Sequence, residues 1–533
     1  MKTDIGFPPV GILAKFLFSS TGLLAEKDAR KDPRFSDAER KKYQKTLDRL
    51  VTEEGQFADN FDQILDVFRK QLKTIIPSKR IANAMLCSVN EVYVQYRHLI
   101  NEEGTYFSQK ETLKWALETR FIGRMILSPQ KNYLRFNIKD ESWKTPNDPF
   151  WYLPTVKADG ITWPLQKALE FGQEVAKTSL TNFHYPGDGG AQENYQLKQN
   201  EANARNWLKG QHIPSWHGLN MNLRQSFDAL QSCTSKHHRK LSEKEKSSVL
   251  IVAFIARFST YVCQEIAKAF GREFLSSLIE RYKIYTEHLS QDHSEIEEYV
   301  DSEIAKALQN RNFSNGLRDE LLWTSVPSYW AYKANIGTEY VKSLEQRRQI
   351  ETRLNQPYTV EEQKGIIHNC GNFQGRMLIE SPCLQVKYPP PEGFFDELHE
   401  AEQLRKTREI KKDTIQTFEQ RLKQKSLTEA LGWYANWLYG IMYYRQQSYA
   451  KAYLYYGKAF EQAKYSAGNR QYPLVNTYIE LCAKRKQKKA FRKAVSWAHY
   501  IGMRVRWIES VPPQEDELEV AYAFFESAFY PQT

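Results

Sequence analysis

In Ser36/Glu39, Ser108/Glu111, Ser242/Glu245, Ser294/Glu297 and Thr359/Glu362 a Ser or Thr stands three residues ahead of a Glu. At that spacing the hydroxyl accepts a hydrogen bond from the first helical turn while the carboxylate reaches back to the capping residue, so each pair predicts a helix start. Several are followed by apolar residues at helical period, as in Leu113, Ala116, Leu117, Phe121 and Ile122. The expectation is a mainly α protein.

A chain of 533 residues calls for more than one core, and 41% hydrophobic with 26% charged residues is ordinary globular composition. An N-terminal helical domain is predicted over 1–127, with helices near 36–54, 59–76, 79–100 and 108–127. From 128 to 241 the chain carries Pro129, Pro146, Pro149, Pro154 and Pro164, a strand-like Tyr133 to Ile138, and Gly187, Gly189 and Gly190. This stretch reads as a connector with a small irregular or β-containing part. A middle helical domain spans 242–388, centred on the all-apolar Val249 to Ala256, which predicts a buried central helix. After Pro389, Pro390 and Pro391, a single long linking helix is expected over 389–425, amphipathic through Phe395, Leu398, Ala401, Leu404, Ile415, Phe418 and Leu422. The last region, 426–533, reads as antiparallel helical repeats.

In that region Gly440, Tyr443, Tyr449, Ala452, Tyr456 and Ala459 recur at the spacing of paired helices, small residues allowing close approach and tyrosines filling the seam. The unit from Trp433 to about Ser466 resembles the tetratricopeptide repeat family. A fainter second unit has Tyr478, Leu481, Ala490, Ala494 and Trp497, followed by a capping helix predicted from Glu515 to Phe529. The resemblance implies binding of a protein or peptide partner. One unit cannot bury its own face, so the linking helix or the middle domain is expected to pack against it.

The net charge of +11 and pI near 9.0 favour association with polyanions, although solvated helix faces would account for the same charge. Aromatic residues, 13% of the chain, would serve either as base-stacking platforms or as repeat cores, the second being favoured. Between the helices of the second unit lie Lys484, Arg485, Lys486, Lys488, Lys489, Arg492 and Lys493, which predict binding of phosphates or of an acidic peptide, or else form a solvated turn. At about 195–230, Trp207, Gly210, Pro214 and Ser215 resemble the end of the recognition helix, and the turn after it, in the lambda-repressor-like helix-turn-helix family. That resemblance makes Asn203, Arg205, Asn206 and Lys209 the expected DNA contacts. Residues 186–199 do not supply the family's earlier helix, and the alternative is a helix ended by Gly210, with Trp207 and Trp216 plugging the core.

No phosphate-binding loop, nucleophile elbow or zinc-protease motif is present. Arg281 and His288 lie two helical turns apart, the spacing used by the HEPN ribonuclease family; this resemblance implies a metal-independent RNA-cleaving toxin or antiviral effector as the alternative function. Arg205 and His212 share that spacing. His368, Cys370 and Cys383, with His237 or His238, fit no common zinc site, so no metal or cofactor is expected. Six scattered cysteines suggest no disulfide framework. Lys15 interrupts the short apolar run from Ile12 to Phe18, and Arg257 ends the one from Val249, far short of the roughly 20 residues that span a bilayer. The reading is a cytoplasmic scaffold or regulator without an assigned reaction, binding a protein partner and DNA or RNA, in a setting such as bacterial regulation or defence.

Overall fold

The computed structural model describes residues 4–22, 37–51, 66–70, 72–73, 76, 78–136, 138, 143–177, 202, 205–232, 241–308, 315–354, 356–380, 388–510 and 513–527. The fold is mainly helical. The elements begin with α1 (Val10–Thr21), α2 (Asp37–Val51), α3 (Lys79–Glu102), α4 (Gln109–Ala116), a π-helical turn at Leu117–Phe121 and α5 (Ile122–Arg135). A two-stranded antiparallel hairpin, β1 (Thr155–Lys157) and β2 (Gly160–Thr162), precedes α6 (Pro164–Ala176) and α7 (Trp216–Ser232). The middle region contains α8 (Glu243–Phe270), α9 (Arg272–Leu308), α10 (Asn315–Ile350), α11 (Val360–Cys370) and α12 (Asn372–Glu380). The C-terminal array contains α13 (Phe394–Lys406), α14 (Lys412–Gln424), α15 (Thr428–Arg445), α16 (Tyr449–Ala463), α17 (Gln471–Lys484), α18 (Lys488–Tyr500) and α19 (Glu515–Ser527).

Ser108, Ser242 and Thr359 form complete capping boxes with Glu111, Glu245 and Glu362. Ser294 does not. It lies inside α9, where its hydroxyl donates to the Ser290 carbonyl (3.1 Å), a local bond that competes with capping. Ser36 lies outside the described residues. The cap in this area is instead a tertiary one: buried Asp292 of α9 accepts from the backbone amides of Asn372 (2.8 Å) and Phe373 (3.0 Å) at the start of α12.

Two helix predictions need correction. The stretch to Arg135 is helical rather than strand-like, running through Pro129. Pro129 sits on the exposed side, while buried Asn132 donates to Ser88 (3.2 Å) and Ser128 donates to Glu91, both on α3. These contacts hold the helix against α3 past a residue that would otherwise end it. The sheet of the connector is formed by 155–162 instead. The long linking helix is two helices, α13 and α14, separated by an extended Thr407 and a buried Ile410. Arg445 donates to the carbonyls of Thr407 (2.6 Å) and Arg408 (3.1 Å), satisfying the chain where the helix stops. Buried Glu397 then ties α13 to Arg421 (3.1 Å) and Lys425 (2.9 Å) around α14.

By length and composition α8 would suffice to cross a membrane, yet α1, α6, α7 and α9 pack around it. Val249 to Phe254 are buried, and so is Arg257, whose guanidinium donates to the carbonyls of Pro214 (2.6 Å) and Ser20 (2.5 Å). One apolar core runs from Phe7 through Leu99, Phe254 and Phe418 to Trp497 and Phe525. A second gathers Ile122, Leu278, Tyr285, Trp330 and Phe373 from α5, α9, α10 and α12.

The N-terminal region packs on the C-terminal array, a partner not foreseen for the repeats. The Phe7 amide donates to the Tyr465 carbonyl (2.8 Å), Thr105 to Ser466 (2.8 Å), and Arg97 to the Tyr500 carbonyl (2.6 Å). Gly104 and Gly468 both have positive φ, and their backbones approach so closely that a Cβ on Gly104 would lie 2.6 Å from the Ser466 oxygen. No side chain fits there.

Candidate partner-binding face of the helical repeats

The six residues that carry the repeat resemblance divide between two tasks. Gly440, Ala452, Tyr456 and Ala459 line the seam between α15 and α16 and are buried. A Cβ on Gly440 would sit 2.6 Å from the Tyr456 ring, so glycine sets the interhelical distance. Burial pushes the Tyr456 hydroxyl up to about 12. Tyr443 and Tyr449 are half-buried at the surface. Tyr443 stacks on Tyr455 at 5.5 Å, with the Lys451 ammonium 5.3 Å over Tyr443 and the Lys458 ammonium 5.2 Å over Tyr455. Beside them Tyr439 donates to Glu419 (2.9 Å). This is a surface of aromatic rings under exposed ammonium groups, able to offer cation–π, hydrogen-bonding and apolar contacts together.

The basic segment is largely neutralised, by Glu480 one turn back on the same helix and by acidic residues 23 to 40 positions away in the sequence. Lys484 pairs with Glu480 (2.7 Å), Lys493 with Glu461 (2.7 Å), Lys486 with Glu526 (3.4 Å) and Lys488 with Glu519 (2.6 Å). Arg492 meets both Glu519 (2.7 Å) and Glu515. Glu515, Glu519 and Glu526 all belong to α19, which lies against α17 and α18. The hydrogen bonds from Lys488 and Arg492 hold the Glu519 carboxyl below the usual range. Arg485 and Lys489 are exposed and form no ion pair among the described residues.

Beneath these charges α19 docks by apolar contact. Leu518, Ala521 and Phe525 are buried, and Phe491 of α18 meets Tyr522 (5.1 Å) and Phe525 (6.3 Å). Burying Leu518 and Phe525 contributes roughly 2 kcal/mol each, whereas exposed ion pairs are screened and mainly fix register. The helix start is tied to the preceding loop: the Glu517 carboxylate accepts from the Ser510 amide (3.1 Å) and the Gln514 amide (3.2 Å).

The expected DNA-reading residues lie elsewhere. Asn203 is outside the described residues; Arg205 to Leu208 form one helical turn, with Arg205 and Lys209 exposed and Asn206 half-buried. Gly210, at φ 66°, then presses against Trp163, and its carbonyl accepts from Gln264 of α8 (2.7 Å). Trp216 is buried at 5.0 Å from Phe254, so both ends of this segment are anchored in the body.

Arg281 and His288 have no common partner among the described residues. The Arg281 guanidinium lies 3.5 Å from Glu380 and donates to the Glu118 carbonyl (3.4 Å) in the π-helical turn. Glu380 accepts from Tyr285 (2.5 Å) and Glu118 from Tyr388 (2.6 Å), a polar cluster that joins four segments. His288 pairs with Gln291 (3.3 Å).

Among the described residues no group of three or more His, Cys, Asp or Glu side chains converges as metal ligands would. Cys383, His237 and His238 lie outside them. A cleft of about 350 Å³ between the hairpin and α6 is lined by Asp148, Trp151, Lys157, Lys167, Glu170 and Glu174. Lys167 is committed there to Asp148 (2.9 Å) and the Leu153 carbonyl (3.0 Å).

The chain matches no protein-family model, and no curated protein or solved structure matches it significantly. The paired-helix geometry of residues 394–527 is therefore an architecture without a family assignment.

Proposed function

We propose that this protein is a scaffold that binds a protein partner through its C-terminal helical array. The observation that supports the reading is the α15–α16 surface, where Tyr443 and Tyr455 stack beneath Lys451 and Lys458. Tyrosine surfaces of this kind supply large contact area at small loss of side-chain freedom, and they recur among energetically dominant interface residues. Nucleic acid is the second ligand of the proposal, supported by the net charge of +11 and by exposed cations such as Lys209, Arg485 and Lys489. The ribonuclease alternative draws less support, since Arg281 is engaged by Glu380 rather than aimed toward His288.

The test is in-cell crosslinking of the full chain, followed by mass spectrometry with and without nuclease. Crosslinks from a stoichiometric partner are expected on 394–527, and Lys451→Glu with Lys458→Glu should lower its capture at least tenfold. A partner crosslinked only outside 394–527, or capture untouched by the double substitution, would overturn the reading. Loss of capture on nuclease treatment would make nucleic acid the bridge.

A further inference from the structure

We infer that the face formed by α17 and α18 is a docking site for an acidic amphipathic helix, and that α19 occupies it in cis until a partner helix of the same chemistry displaces it. The inference rests on the scaffold reading and names the partner that this part of the array would take. Its evidence is the occupant already in place. In α19, Leu518, Ala521, Tyr522 and Phe525 form one face, which lies over Phe491, and Glu515, Glu519 and Glu526 flank it against Arg492, Lys488 and Lys486. The site therefore selects a helix by two features together: carboxylates one turn apart, and large apolar residues three, seven and ten positions after the first of them.

Displacement is physically accessible because the charged contacts are open to water. Side-chain exposure is 49% for Lys488 and 43% for Glu519, so salt and competing carboxylates reach them. A partner helix more acidic than α19 would also gain Arg485 and Lys489, which α19 leaves without an ion pair among the described residues. Nucleic acid fits this surface less well. Phosphates would satisfy the cations but leave the apolar floor around Phe491 uncovered.

The probe is a fluorescein-labelled peptide of residues 513–527, titrated against the full chain by polarisation. Wild type should bind it weakly, because α19 is already docked. The full-chain variant E515Q/E519Q/E526Q, with a loosened latch, should bind at least tenfold more tightly, and adding Lys488→Glu with Arg492→Glu should remove the gain. Hydrogen exchange supplies the independent readout: α19 amides should lose protection in the triple variant while α15 and α16 keep theirs. If the triple variant does not fold, Glu519→Gln alone, compared at low and high salt, reads the same release. Opened α19 amides without peptide binding would overturn the inference, and so would tighter binding of a single-stranded oligonucleotide with no gain for the peptide. A partner crosslinked to α17 and α18 of the triple variant that excess peptide fails to compete away sinks the docking inference and leaves the scaffold reading standing. The absence of any partner crosslinked to 394–527 sinks the scaffold reading, and the inference with it.

Discussion

Arginine is used in opposite ways in two regions of this molecule. Arg492 stands among seven cations on adjacent turns, meets Glu515 and Glu519 directly in partly exposed ion pairs, and is part of a contact that salt can loosen. Arg257 stands alone in an apolar helix, 4% exposed, with no carboxylate partner among the described residues; burial lowers its pKa to about 10. It is held by the carbonyls of Ser20 and Pro214, and Gly22 is required beside it, since a Cβ there would fall 2.2 Å from the guanidinium carbon. The density of charge in a sequence therefore says little about its structural weight. An exposed cluster makes a reversible latch, whereas one buried cation ties α1, the turn before α7, and α8 into a single body.

The largest effect expected from this contrast is at the buried member. Arg257→Ala leaves two carbonyls without donors and opens a void, so unfolding in urea should lose about 4 kcal/mol, against a negligible change for Arg485→Ala on the surface. Comparable losses at the two sites would erase the distinction. Another buried cation gives the next effect. Arg348→Ala removes a 2.8 Å pair at 3% exposure and leaves Glu362 with Arg353 alone as its cation, and about 3 kcal/mol should be lost.

Acid sharpens the same comparison. Burial alone would raise the Glu362 carboxyl, but the Thr359 amide, Arg348 and Arg353 bring it below the ordinary 4.5. A depressed carboxyl stabilises the fold above its unfolded value, and that contribution disappears as pH falls through the lower folded value. Melting curves should therefore fall below about pH 4.5, and Glu362→Gln should flatten that slope. Within the array, Gly440→Ala forces a methyl group into the Tyr456 ring and should cost about 2 kcal/mol by overpacking. The smallest global effect belongs to Lys488→Glu with Arg492→Glu: the main melting transition should hardly move, while hydrogen exchange in α19 speeds up. A large drop in global stability would mean that the latch is part of the core.

Much of the helical order was legible because its signals are local. Ser108, Ser242 and Thr359 capped as their spacing predicts, and Gly440 with Tyr456 marked the repeat seam. Ser294 misled because its hydroxyl had a helical carbonyl four residues back, and nothing in the local sequence reports that choice. Pro129 misled because the hydrogen bonds that carry the helix past it come from α3, some 40 residues earlier. In the candidate site, the cations were visible as a run, but their partners Glu515, Glu519 and Glu526 lie more than 20 residues further along and enter only when α19 folds back.

By itself, then, the sequence determined the mainly helical class, the cores of the helices and the small-residue seam, because these depend on neighbours within one or two turns. Only tertiary structure decided which charges are neutralised, that α13 and α14 part at Thr407, and that the N-terminal segment seals the repeat array through Phe7 and Arg97. Those outcomes depend on groups brought together across tens to hundreds of residues, where burial and geometry determine the energy of each contact.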